Sequence, residues 1–197
     1  MHRQVEARLE ATRGLGSENI DSRLRAADAS VNAPAGQARW LGRPIAELSQ
    51  LQRVLVVGSN LRKDHPLFAQ RIRQAVRKGA QLSVLNDVAP AWAMTVKHGV
   101  LAESAVWVQA LAGIAAAVAA EKGLTAPVAV QADDAQRAIA ASLLGGEHKA
   151  VLLGNAAAHH QKAASLLALA NFIADHTGAT VGYLTEAANT VGAQLVG

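Results

Sequence analysis

Two patterns of apolar positions organise this chain of 197 residues. Val54-Leu55-Val56-Val57 is an unbroken apolar run, as expected of a strand covered by helices on both faces. Gly58-Ser59-Asn60 ends it. Phe68, Ile72, Ala75 and Val76 then recur at helical spacing, with Asp64 as an expected N-cap and Pro66 as an early helical proline. Arg77-Lys78 sit where cations suit a helix C-terminus, and Gly79 is placed to close it. Leu82-Ser83-Val84-Leu85 begins a second strand. The pattern predicts a βαβ unit, whose crossover in a parallel sheet is right-handed.

The rest of the chain extends this pattern. Residues 1–12 read as a short helix with Val5 and Leu9 on one face. Residues 13–50 are irregular, punctuated by Pro34, Gly36, Gly42 and Pro44, with a short helix expected over Ile45 to Leu51. After Asn86-Asp87 the residues through Pro90, Trp92 and Lys97-His98-Gly99-Val100 read as a loop. Glu103 to Lys122 predicts a long Ala-rich helix closed by Gly123, and Asp133-Asp134 caps a further helix to about Leu144, where Gly145-Gly146 stops it. Ala150 to Asn155 repeats the earlier arrangement: VLVVGSN and AVLLGNA are each an apolar strand ending in Gly, with Asn close behind. A helix with Leu166, Leu169, Ala170 and Ile173 inward follows, then a last strand within Gly178 to Leu184. The expected fold is α/β, with Rossmann-like βαβ units in a mostly parallel sheet flanked by helices. The expected division is an irregular N-terminal segment over 1–52 and an α/β domain over 53–197. The tail from Glu186 carries no end signal, so the chain reads as a fragment of a larger one.

Composition narrows the chemistry. There are 44 alanines against three Trp, two Phe and one Tyr, which suits closely packed helices better than a β-sandwich. With no Cys, the chain itself can form no disulfide, Cys-ligated zinc site or cysteine-held Fe–S cluster. Residues 1–78 hold 14 Lys/Arg against 7 Asp/Glu, whereas residues 79–197 hold 5 against 8. The basic front half has only Trp40 and Phe68 as aromatics and no nucleic-acid motif, so a solvated or protein-facing surface is expected and nucleic-acid binding is not. The N-terminus MHRQVEARLEATR lacks the apolar core of a signal peptide. The apolar run Val106 to Ala120 is shorter than the roughly 20 residues of a bilayer span. It reads as a buried helix, and the expectation is a soluble, cytoplasmic chain with no direct membrane insertion.

Ligands of open α/β sheets bind beyond the carboxyl ends of the strands. That places Gly58, Ser59 and Asn60, and the matching turn at Gly154 and Asn155, where phosphates could meet backbone N–H groups. The same residues also read as a strand exit, with Gly turning the chain and Asn bonding local backbone. His65 either touches a ligand, faces solvent or bonds a loop. No GxGxxG follows the Val54 strand and no GxxxxGK[ST] occurs, which argues against ordinary NAD binding and against a P-loop. His159-His160 point about 100° apart on a helix, a poor arrangement for a shared metal. Asp133-Asp134 reads as a capping pair, and no G-x-S-x-G elbow supports nucleophilic catalysis.

Two further strings, GSENIDSRLR over residues 16–25 and GYLTEAANTVGA over residues 182–193, stand on either side of the GSN…DHP motif at residues 58–66. With these three strings in this order, the chain resembles the molybdopterin oxidoreductase-like region of the large iron–sulfur subunit of respiratory complex I, the bacterial NADH–quinone oxidoreductase. The resemblance covers nearly the whole chain. It implies a domain like those of formate dehydrogenases and the DMSO reductase class, which hold a molybdenum pterin dinucleotide between α/β domains. It also implies that Gly58, Ser59, Asn60, His65, Gly154 and Asn155 are vestiges of that cofactor groove. In the complex I protein the region is implied to be a scaffold without molybdenum. Its Fe–S clusters would be held by cysteines in N-terminal domains outside this chain, with no cofactor in this fragment. The sequence departs from the catalytic pattern in two places. Leu24 to Ala27, where a metal ligand would fall, offer none, although Asp28 and Ser30 lie close by. Leu85-Asn86-Asp87 stands where an acidic residue followed by Pro-Arg is usual. The implied partners are the other subunits of the complex I peripheral arm, at the cytoplasmic face of the plasma membrane. The alternative is a pterin-dinucleotide- or nucleotide-binding domain of an active molybdopterin oxidoreductase; a stand-alone flavodoxin-like module is a third, weaker reading.

Overall fold

The computed structural model describes residues 10, 13–16, 39–187 and 190–192. The helix expected at residues 1–12, the strings around Asn19 and Thr190 for the most part, and Asp28 and Ser30 lie outside the described residues.

Five strands form one sheet: β1 (Arg53–Val57), β2 (Gln81–Asn86), β3 (Val96–Leu101), β4 (Lys149–Leu153) and β5 (Thr180–Tyr183). Their spatial order is β3-β2-β1-β4-β5, and every pairing is parallel. The α/β expectation is met. This order is that of a doubly wound sheet, in which the chain reverses direction of travel between β1 and β4.

The helices follow from the same sequence signals. A one-turn helix, α1 (Leu61–Asp64), leads into α2 (Pro66–Arg77), whose first residue is the proline that sequence placed there. Asp64, expected to cap α2, instead belongs to α1, and its carboxylate accepts a hydrogen bond from the Asn60 backbone N–H at 2.9 Å. Helix α3 (Trp107–Lys122) begins after a 3-10 turn at Ser104–Val106 and ends on left-handed Gly123. Helix α4 (Asp134–Leu144) starts with a full capping box: Asp133 accepts from the Gln136 N–H, and Gln136 Oε1 accepts from the Asp133 N–H. The one-turn α5 (Asn155–Ala158) and the longer α6 (Ala163–Thr177) follow β4. The sequence repeat is thus a structural one. Strand, Gly turn, one-turn helix and long helix recur after β1 and β4, which lie side by side with Val57 opposite Leu153.

Alternate residues of the central strands face two separate cores. Leu55, Val57, Val151 and Leu153 pack against α3, α4 and α6. Val54, Val56, Ala150 and Leu152 pack against α2 and a 3-10 helix over Ile45–Gln50. That second core includes Leu41, Leu48 and Leu51, so the segment before β1 packs into the same body as the sheet. Arg43 secures it: its guanidinium donates to Thr180 Oγ1 at 2.8 and 3.0 Å and to the Lys149 carbonyl at 3.2 Å. Helix α3 with its preceding turn is long and apolar enough to cross a membrane, and 61% of it is buried inside the domain.

The strand at Val96–Leu101 corrects the loop reading of that segment. It is an edge strand, bonded only to β2, with alternate residues exposed, and Lys97, His98 and Gly99 hide its apolar period.

Candidate functional site

The carboxyl ends of β1 and β4 bring all six candidate residues together. Gly58-Ser59-Asn60 leaves β1, Gly154-Asn155 leaves β4, and His65 stands at the junction of α1 and α2. In a doubly wound sheet this is the crevice where ligands bind. Here the two turns close against each other. The Gly154 N–H donates to the Val57 carbonyl at 2.8 Å, and the Ala156 N–H donates to the Gly58 carbonyl at 3.0 Å. The Gly58 N–H donates to the Leu85 carbonyl at 2.9 Å. Gly58 adopts φ 64°, open to glycine at little cost, and a Cβ there would stand 2.7 Å from both the Ala157 nitrogen and Cζ3 of Trp107.

Trp107 was not singled out by sequence reading. It is fully buried at the first turn of α3, fills the space under the β1 turn, and donates its indole N–H to the Ala102 carbonyl at 2.8 Å. His160 stacks on it with ring centroids 6.0 Å apart. A lone Trp at the start of an Ala-rich helix was the available signal, but only the crossover reveals what it lies beneath.

The polar groups of the site are buried. Ser59 is 3% exposed and its hydroxyl has no hydrogen-bond partner. Asn86 Nδ2 lies 3.4 Å from the Ser59 carbonyl. His65 is 5% exposed, which corrects the solvent-facing reading, and its ring stacks on Phe68. Burial lowers the His65 pKa, opposed by Asp64, Glu186 and the Asn155 side chain, which favour the charged ring. Asn155 lies near enough to exert that effect, yet Nε2 has no partner of standard hydrogen-bond geometry. The Tyr183 hydroxyl, at the end of β5, is likewise buried without a partner; burial raises its pKa, and the Arg39 charge opposes that rise.

The adjacent histidines take separate partners. His159 Nε2 lies 3.3 Å from a Glu186 carboxylate oxygen. His160 Nε2 lies 2.9 Å from the Ser104 carbonyl, and its Nδ1 accepts from the Lys162 N–H at 2.9 Å. Among the described residues no group of three or more His, Asp or Glu side chains is arranged to hold a metal ion.

A dinucleotide laid across this crevice would need free N–H groups or cations for its phosphates. The amides of Gly58, Asn60, Gly154 and Ala156 are already engaged. At the turn after β1 an anion would meet the Asp64 carboxylate, bonded to the Asn60 N–H. The residues present do not fit the phosphates of a pterin dinucleotide.

Comparison with known proteins agrees with the fold. No curated protein sequence matches the chain. Among solved structures, the chain is similar to one from the formyltransferase/hydrolase complex (FhcABCD) of Methylorubrum extorquens with methylofuran, at 15% identity and a TM-score of 0.47. That match covers 77% of this chain and 41% of the other, so the chain spans less than half the length of that structure. The model of the molybdopterin oxidoreductase family matches residues 9–197. By that match over almost its whole length, the chain belongs to the molybdopterin oxidoreductase family.

Proposed function

We propose that this domain is a non-catalytic scaffold within the large iron–sulfur subunit of a NADH–quinone oxidoreductase. One observation carries the non-catalytic part: the Asp64 carboxylate bonds the Asn60 N–H where a cofactor phosphate would sit. An anion there meets like charge, and at about 4 Å with an effective dielectric near 20 that repulsion is about 4 kcal/mol. Trp107 and the engaged turn amides support the same reading, because they occupy with protein the groups and space a ligand would use. The assignment to complex I rests on the strings at residues 16–25, 58–66 and 182–193. In this reading the Fe–S clusters lie in other domains of the parent. Its partners are neighbouring subunits of the peripheral arm at the cytoplasmic face of the membrane, and this fragment carries no cofactor.

Two measurements test the two halves separately. Calorimetric titration of the purified chain with GDP, with elemental analysis for molybdenum and tungsten, should give no binding and no stoichiometric metal. Saturable nucleotide binding or a bound metal centre would instead establish the cofactor-binding alternative. Affinity isolation of the tagged full-length parent from its host should bring down NADH–quinone oxidoreductase subunits; isolation without them removes the complex I assignment.

A further inference from the structure

We infer that the outward face of α2, with the groove beneath residues 87–95, docks an acidic segment of a partner protein. The surface is defined by its own charges and stands whether or not the parent is a respiratory subunit.

Residues 61–78 carry six cations, Arg62, Lys63, Arg71, Arg73, Arg77 and Lys78, against one acid, Asp64. All six are exposed. Among the described residues no salt bridge engages any of them. Asp64 is held by the Asn60 N–H at the opposite end of the element from Arg77 and Lys78. The charge therefore projects outward, unneutralised, along a helix of 12 residues, about 18 Å long. The remainder of the chain after residue 78 has an acidic excess, so the basic face is local and not a reflection of net charge.

A solvated basic helix would need no apolar centre. Here Leu67 stands 78% exposed among the cations, one turn from Lys63 and from Arg71. A large apolar side chain ringed by charges is the anatomy of a protein interface, with a dry anchor inside a polar rim. A nucleic-acid backbone has no use for that anchor. Beside it runs a groove lined by Arg62, Gln70, Arg73, Trp92, Ala93 and Met94. Arg62 forms its end wall by donating to the Ala91 carbonyl at 2.9 Å, which pins the loop over the helix. Ala93 is held at φ 55°, among the described residues the sole non-glycine in the left-handed region. Such a conformation persists where surrounding contacts over-determine it, and it is enriched at ligand clamps. The groove thus pairs guanidinium donors for carboxylates with an indole and a thioether for an apolar side chain.

The experiment uses the whole chain and a fluorescein-labelled peptide of repeated Glu-Glu-Leu units, about a dozen residues long, enough to run the length of α2 when extended. Fluorescence anisotropy should show saturable binding that weakens with salt. The double variant R71E/R73E should weaken it about tenfold or more, while the equal charge change K122E/K162E, on a different part of the surface, leaves it within about twofold. Leu67→Ser should weaken binding without altering the salt slope. Circular dichroism confirms that each variant folds. Equal weakening by both double variants would reduce the effect to net charge and overturn the docking surface. So would tighter binding of single-stranded DNA or of phosphatidylglycerol vesicles than of the peptide. Concentration-dependent self-association in the ultracentrifuge, abolished by R71E/R73E, would overturn it by making a second copy the occupant.

Discussion

Gly58 and Trp107 share one small volume: a Cβ on the glycine would lie 2.7 Å from Cζ3 of the indole. The first strand exit and the first turn of α3 are 49 residues apart in sequence, and their contact closes the crevice from below. An ancestral ligand groove can thus become a structural joint without losing the strand–glycine–helix pattern that once served the ligand.

Gly58→Ala adds both a left-handed Cβ penalty and a collision with Trp107 and the Ala157 nitrogen. The expected loss is about 2–4 kcal/mol, combining backbone strain with overpacking. Urea unfolding checks it: the midpoint should fall while the slope stays constant. A neutral result would mean that the two turns are not pressed together.

Gly154→Ala isolates the packing term, because Gly154 has φ −88° and needs no left-handed conformation. Its new Cβ would collide with Ser59 Cβ and lie 2.5 Å from the Gly58 carbonyl oxygen. A cost of about 1–3 kcal/mol is expected, read again from the urea midpoint. The double variant with Gly58→Ala should depart from additivity, since both changes strain the same contact.

Trp107→Leu removes the largest fully buried side chain and leaves the Ala102 carbonyl without its indole donor. A loss of about 3 kcal/mol is expected, near the lower end of values for large aromatic truncations because leucine refills part of the space. Emission should shift to longer wavelength, because the remaining indoles at Trp40 and Trp92 are exposed and half-buried. A variant as stable as the parent would show that the indole does not fill the crevice floor.

His65 makes stability depend on pH. Burial lowers its pKa in the folded state below the ordinary value near 6.5. Between those two values the unfolded chain binds more protons, so folding stability rises with pH through that window and is lost as pH falls below about 6.5. His65→Gln should flatten the decline between about pH 7 and pH 5, whatever its effect at neutral pH. Thermal unfolding across that range decides it; an unchanged slope would assign the acid sensitivity to other groups.

Periodicity and punctuation alone determined most of the fold. Unbroken apolar runs identified β1, β2 and β4, because strands covered on both faces need apolar residues at every position. The Pro66 start of α2, the Asp133–Gln136 capping box and the Gly123 stop were legible because each acts within one helical turn. The edge strand β3 was hidden, since one face and one edge lie open and polar residues there cost nothing. The six candidate site residues could be proposed from strand exits, but their meeting depends on β1 and β4 being neighbours across a long crossover. Nor could spacing show that Asp64 turns back onto Asn60, that Ser59 and His65 are buried, or that Trp107 fills the crevice. Local conformational preferences act over a few residues and are written in the chain. Which loops press together is settled by burying two faces of one sheet at once, and that is a property of the tertiary structure.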